Sequence, residues 1–185
     1  QTSRNTSAFT HTNGVNHTHT SDNGTATGGD GSINSHHGIR LFNVSDSTFT
    51  SITASSNSSS GLSIQDSSNN TFNLAKGVSN VSGGIRVENS SNTVFTNNTE
   101  AHGLLTGSYG FLLFNASGTN ISDCINISGV TNDVYVNVEN RSSVIITNCT
   151  YDSESVNGGF NNITRRWYYR AYVNDSVGTA VSAAN

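Results

Sequence analysis

The chain has 185 residues, a formal net charge of -4 and 11% charged residues, with one lysine and seven arginines, where a quarter charged is usual. So few cations exclude a basic nucleic-acid surface, no apolar run approaches the ~20 residues of a membrane span, and no signal-peptide pattern is present, Gln1 reading as the start of a mature or trimmed product. Low charge combined with recurring Ile, Val, Phe and Tyr also excludes the usual disordered composition.

The first thirty residues are rich in Thr, Asn and His and follow no clear register. His11, His17 and His19 fall here, with His36 and His37 just beyond, and His17-x-His19 would place two rings on one strand face, as metal ligands can be. No cysteine or clustered carboxylate completes such a site, so these histidines are expected to be polar residues of an irregular arm, and no metal or cofactor is expected. Residues 1–30 are assigned to an N-terminal arm, a possible cap or subunit contact.

From Gly38 onward the chain repeats itself. GIRLFNVSDSTFTSI from Gly38, GLSIQDSSNNTFNLA from Gly61, GIRVENSSNTVFTNN from Gly84 and GFLLFNASGTNISDC from Gly110 align at steps of 23, 23 and 26 residues, within the range that marks a solenoid. Position two is large and apolar (Ile39, Leu62, Ile85, Phe111), as is position four (Leu41, Ile64, Val87, Leu113). Position six is Asn or Asp (Asn43, Asp66, Asn89, Asn115), position eight is Ser (Ser45, Ser68, Ser91, Ser117), and position twelve is Phe or Ile (Phe49, Phe72, Phe95, Ile121). A shift of 25 extends the pattern to Asn140, Ser142 and Ile146, with Val134 and Val136 continuing the apolar columns. An incomplete earlier turn leads into Gly38 through Gly31-Ser-Ile33.

Period-two apolar spacing marks half-buried strands, and Gly, Asn and Ser separate them as turns do. At about 3.3 Å per residue, 23 residues complete one turn of a three-sided coil. The spacing contradicts helical repeats, which need apolar residues at i, i+3 and i+4, and leucine-rich repeats lack their Leu framework here. The fold expected over 31–160 is all-β: a right-handed parallel β-helix of about five to six coils, with Ile39, Leu62, Ile85, Phe111 and Val134 stacked inside and the Phe49 set in a second internal column. Coils stack at about 4.8 Å, so Asn43, Asp66, Asn89, Asn115 and Asn140 are expected to form a corner ladder, a place where asparagine tolerates left-handed backbone.

Cys124 and Cys149 differ by the same 25 residues, which places them on adjacent coils near the Cα separation of about 4.4–6.8 Å that a disulfide needs. An intrachain bridge is expected, with buried free thiols or bridges to neighbouring subunits as alternatives. Asn-x-Ser/Thr occurs 16 times among 27 Asn, 30 Ser and 22 Thr, roughly twice chance expectation. The acceptors would be Asn5, Asn16, Asn23, Asn43, Asn57, Asn69, Asn80, Asn89, Asn97, Asn115, Asn120, Asn126, Asn140, Asn148, Asn162 and Asn174. Part of this excess follows from the six-to-eight spacing of the repeat, but sites outside that column are plentiful as well, which points to an exported glycoprotein.

Residues 161–185 depart from the repeat. A strand through Trp167 to Val173, a turn at 174–178 and a strand from Thr179 read as a C-terminal β-hairpin, too small to be stable alone. It is expected to pack on the solenoid end or join another chain's sheet.

The Gly-Ile-x-Val-x-Asn-Ser-Ser repeat over residues 38–150 resembles the right-handed parallel β-helix repeats of NosD-like and pectate-lyase-like families. With TRRWYYRAYVND, residues 164–175, the chain is similar to β-helix surface proteins of methanogenic archaea, in which an Ig-like or carboxypeptidase-regulatory-like domain often follows the helix. The resemblance implies an extracellular location, with 161–185 as the start of such a domain; the coil itself carries lyases, epimerases, adhesins and tail spikes alike.

A polysaccharide lyase or glycosidase would need convergent carboxylates. Asp66 and Glu88, one coil apart at neighbouring positions, are the nearest pair, and Lys76, between Ala75 and Gly77, shows no acidic companion in sequence. Arg40 and Arg86 share an outward column interrupted by Ser63; two arginines at that spacing could bind an acidic sugar, but more often such a pair simply covers a strand face. The chain is therefore expected not to be an enzyme. A structural subunit of an extracellular filament, sheath or surface layer accounts for more of the sequence: a β-helix exposes strand edges at its ends, and head-to-tail contacts that do not close give polymers. The alternative is an adhesin or glycan-binding module, for which aligned exposed aromatics such as Tyr109, Tyr135 and Tyr151 would be the mark.

Overall fold

The structure is a computed structural model that describes residues 9–12, 18–20 and 23–26 as backbone, and residues 37–97, 99–137, 142–159 and 161–168 in full. All regular structure among them is β. The first coil is β1 (Phe9–Thr12), β2 (Thr18–Thr20) and β3 (Asn23–Ala26), and the second is β4 (Ile39–Phe42), β5 (Thr48–Thr50) and β6 (Thr53–Ser56). The third is β7 (Leu62–Gln65), β8 (Thr71–Asn73) and β9 (Lys76–Ser79), and the fourth β10 (Gly83–Ser91), β11 (Val94–Thr96) and β12 (Glu100–Gly103). The fifth is β13 (Tyr109–Ser117), β14 (Thr119–Ser122) and β15 (Ile127–Ser128). Two further turns contribute two strands each, β16 (Asn132–Asn137) with β17 (Ser143–Thr147), then β18 (Glu154–Val156) with β19 (Asn162–Arg166).

Successive coils stack into three sheets. The first runs β1-β4-β7-β10-β13-β16-β18, the second β2-β5-β8-β11-β14-β17-β19 and the third β3-β6-β9-β12-β15. Every pairing is parallel. This is a parallel β-solenoid with about five full three-sided turns, and its register is the one the repeat implies: Ile39 pairs Leu62, Leu62 pairs Ile85, Ile85 pairs Phe111 and Phe111 pairs Val134.

Both ends of the solenoid pass the expected limits of 31 and 160. Phe9 pairs Ile39, Thr18 pairs Thr48 and Asn23 pairs Thr53, so the supposed arm contributes a coil at a step of 30 residues. At the other end β19 pairs in parallel with β17, which makes residues 162–166 solenoid strand. The expected hairpin falls, beyond exposed Trp167 and Tyr168, outside the described residues.

The interior is narrow, with apolar columns at its centre and buried hydroxyls and amides at its corners. Ile39, Leu62, Ile85, Phe111 and Val134 are buried, as are Leu41, Ile64, Val87, Leu113 and Val136. In the second column Phe49 stacks on Phe72 at 4.9 Å between ring centroids and Phe72 on Phe95 at 5.0 Å, with Ile121 and Ile146 continuing the row. Where the third sheet meets the first, only glycine fits: a Cβ on Gly61 would stand 2.5 Å from Val78 N and 2.7 Å from Ala54 O.

The corners turn through left-handed residues, three in each coil from Gly38, Gly61 and Gly84 and a fourth, Asn126, in the coil from Gly110. Asn43, Asp66, Asn89 and Asn115 have φ of 54°, 49°, 48° and 46°, which is the role expected for position six. A second corner uses Asp46, Asn69, Asn92 and Gly118, and a third Ser51, Leu74, Asn97, Asp123 and Asn148. Asn and Asp tolerate this region because their short polar side chains bond locally, whereas a longer side chain is strained there.

Candidate functional site

The corners carry most of the groups that face outward in register. At position six Asn115 Nδ2 donates to Asn89 Oδ1 at 3.2 Å; Asn140 lies outside the described residues. Another ladder stands at position nine, which the repeat comparison did not single out: Asn92 donates to Asn69 and Asn69 to Asp46, each at 3.0 Å. Further rungs join Asn80 to Asn57 at 3.1 Å, Asn97 to Asn73 at 2.9 Å and Asn148 to Asp123 at 2.7 Å.

Inside the first corner a buried serine row does the complementary work. Ser67 Oγ accepts from Val44 N, Ser90 Oγ from Ser67 N and Ser142 Oγ from Ala116 N, each at 3.1 Å. Ser142 therefore takes the inward place beside Ala116, not the outward place of Ser117. Asn70 and Asn161 close the same corner by accepting from Ser47 N and Ser142 N. Hydrophobic pattern matching passes over all of these, and their signal is a polar residue repeated at position seven or ten.

The sequon asparagines with described side chains are Asn43, Asn57, Asn69, Asn80, Asn89, Asn97, Asn115, Asn120, Asn126, Asn148 and Asn162, and none of them is buried. Asn5, Asn16, Asn140 and Asn174 lie outside the described residues, and Asn23 is described by backbone alone.

On the outer face of the first sheet, Arg40, Ser63 and Arg86 occupy one row. Both guanidinium groups have partners within the face. Arg40 donates to Gln65 Oε1 at 2.8 Å, Gln65 to Glu88 Oε2 at 2.7 Å, and Arg86 pairs with Glu88 at 2.8 Å. Arg40 also covers Phe42 and Arg86 covers Phe114, at 5.1 and 5.0 Å from the ring centroids. Asp66 and Glu88 have separate surroundings: Asp66 is an exposed corner residue, and Glu88 belongs to the arginine network. Near this face His37 is buried against Ser59 Oγ at 3.1 Å. Burial, reinforced by Arg86 and Arg40, pushes its pKa down to about 4. Tyr109 and Tyr135 stack at 4.7 Å.

The outer face of the third sheet holds a polar chain that sequence comparison missed. Lys76 pairs with Glu100, and its Nζ lies 2.9 Å from Glu100 Oε2, which supplies the acidic companion that was not visible in sequence. The same oxygen is 3.2 Å from His102 Nε2, and His102 Nδ1 is 2.9 Å from Ser128 Oγ. The bond from Lys76, followed by that from His102, holds the Glu100 carboxyl below the usual range. Chemically the series fixes an imidazole at both nitrogens and points a hydroxyl outward; Lys76 shares the carboxylate that would otherwise serve the imidazole alone.

Beyond Ser128 lies a cavity of about 500 Å³ lined by His102, Ile125, Asn126, Ile127, Ser128, Thr150, Tyr151 and Asp152. It exists because the third sheet ends at β15 while the other sheets continue. Tyr151, which does not join the Tyr109–Tyr135 pair, donates its hydroxyl to Glu154 Oε2 at 2.6 Å under the Arg165 guanidinium, 4.2 Å from the ring centroid. Burial and the Glu154 carboxylate raise its pKa.

Cys124 and Cys149 form an intrachain disulfide between adjacent coils, with Cα atoms 4.7 Å apart. Among the described residues there is no group of three His, Cys, Asp or Glu side chains placed to hold a metal, and no helix is long and apolar enough to cross a membrane. The side chains of His11, His17, His19 and His36 fall outside the described residues. Comparison with protein families, curated proteins and solved structures finds no match to this chain.

Proposed function

We propose that the chain is a structural subunit of an extracellular, glycosylated surface assembly, a filament, sheath or surface layer, whose copies join head to tail through solenoid ends and exchanged strands. The observation that carries this reading is the placement of its sequons: none of the described acceptor asparagines is buried, and many stand on the corner rungs, while the interior is closed by stacked apolar side chains. Partners on this reading are covalent N-glycans and further copies of the chain. Among the described residues β18, β19 and β15 are the last strands of their sheets, and strand edges are the natural place for one solenoid to add to another. The resemblance to surface β-helix proteins of methanogenic archaea agrees with this setting. Light scattering of the full chain over rising concentration tests the assembly: growing mass is expected, and a monomer at the highest concentration contradicts it.

A second reading, a surface adhesin or glycan-binding module, is favoured by the Tyr109–Tyr135 stack beside the arginine-covered aromatics of the first sheet. Binding of soluble glycans that is lost in Tyr135→Ala would support it.

A further inference from the structure

The break in the third sheet leaves a built concavity next to a glycan acceptor. We propose that this cavity seats the first sugar of a glycan carried by Asn126, a neutral pyranose. The inference rests on the reading of the outward sequons as glycosylated.

Asn126-Ile127-Ser128 is a sequon whose asparagine and serine both line the cavity. Asn126 is exposed and turns at φ 50°, so a sugar bonded to its Nδ2 begins at the cavity mouth. Ile125, 40% exposed, and Tyr151 offer apolar surface to the C–H face of a pyranose. The Tyr151 ring is held in place, its hydroxyl on Glu154 and one face under Arg165, so little freedom is lost on contact. Around these walls His102, Ser128 and Asp152 supply the few polar groups that such sites use to fix orientation. Asp152 in the lining, with Glu100 behind His102, disfavours an acidic sugar, because like charges in proximity repel. A seated sugar also covers the outer edge of β15, the last strand of the third sheet among the described residues, and covering is one of the ways a strand edge is kept from wrong pairing.

The test uses the full chain secreted from a eukaryotic host, digested in its native state with a glycan amidase and followed site by site by mass spectrometry. The Asn126 glycan is expected to be released at least ~10-fold more slowly than those of Asn57 and Asn148, a difference of about 1.4 kcal/mol in protection, and at the same rate once the chain is unfolded. Tyr151→Ala and Ile125→Ser are each expected to abolish the lag, and the exposed Ile125 site allows an unchanged unfolding midpoint to confirm the fold. A bare Asn126 beside occupied sequons, or release at the common rate, overturns the seat and leaves the glycosylated-surface reading intact. Absence of glycan at every sequon overturns that reading and the seat with it.

Discussion

Asn92 donates its side-chain amide to Asn69 Oδ1 at 3.0 Å across one coil, and both residues turn through left-handed backbone, at φ 52° and 55°. One residue type thus meets two demands, a corner that L side chains resist and a rung to the next coil. Asn69→Ala is expected to lower stability by about 1–2 kcal/mol, chiefly from the left-handed alanine. Asn69→Gly keeps the corner and loses the rung, so urea titration of the two variants separates backbone from ladder. Equal losses would show that the ladder, not the backbone, sets the cost.

Leu74 occupies the same kind of corner as Asn97, Asp123 and Asn148, at φ 58°, and is 42% exposed. Little burial compensates for the strained backbone, so Leu74→Asn is expected to stabilise the chain by roughly 1 kcal/mol. The check is the denaturation midpoint, which should rise without a change in slope.

Phe72 is fully buried between Phe49 and Phe95. Removing its ring leaves a cavity in a narrow interior and ends stacking on both sides, so Phe72→Ala is expected to cost about 3–5 kcal/mol. In a solenoid each coil contacts its neighbours alone, and hydrogen exchange should therefore show protection lost first at β5, β8 and β11. Uniform loss across all coils would contradict this locality.

His37, with a folded pKa of about 4 against 6.5 for the free side chain, binds its proton more weakly folded than unfolded. As pH falls through 6.5 the unfolded state is protonated first and stability drops, and the loss levels off below about 4; above 6.5 the full stability is present. The ceiling is about 3 kcal/mol, since each unit corresponds to about 1.4 kcal/mol. His37→Gln removes the titrating group, and its unfolding free energy should vary less between pH 6.5 and 4 than that of the parent. Parallel curves would place the pH dependence elsewhere.

The apolar columns and the left-handed Asn corner were legible in sequence because each coil repeats them at steps of 23 to 26 residues, and a shared face demands shared chemistry. The first coil was not, since Phe9 reaches Ile39 at a step of 30 and the register partners of Leu41 and Phe49 are His11 and His19, which break an apolar template. The third face was hidden for a different reason. Its inward residues are Ala54, Gly77, Ala101 and Ile127, mostly too small to print an alternating pattern, so the register that joins Lys76, Glu100, His102 and Ser128 had no marker. Buried Ser67, Ser90 and Ser142 were lost because hydrophobic matching treats a bonded inward hydroxyl as a loop residue.

The central claim is assembly of stacked solenoids into a surface polymer, and electron cryomicroscopy of native material tests it most directly. Ordered filaments, tubes or sheets with a reflection near ~4.8 Å from the stacked coils are the expected result, and dispersed single solenoids at physiological concentration would contradict the account.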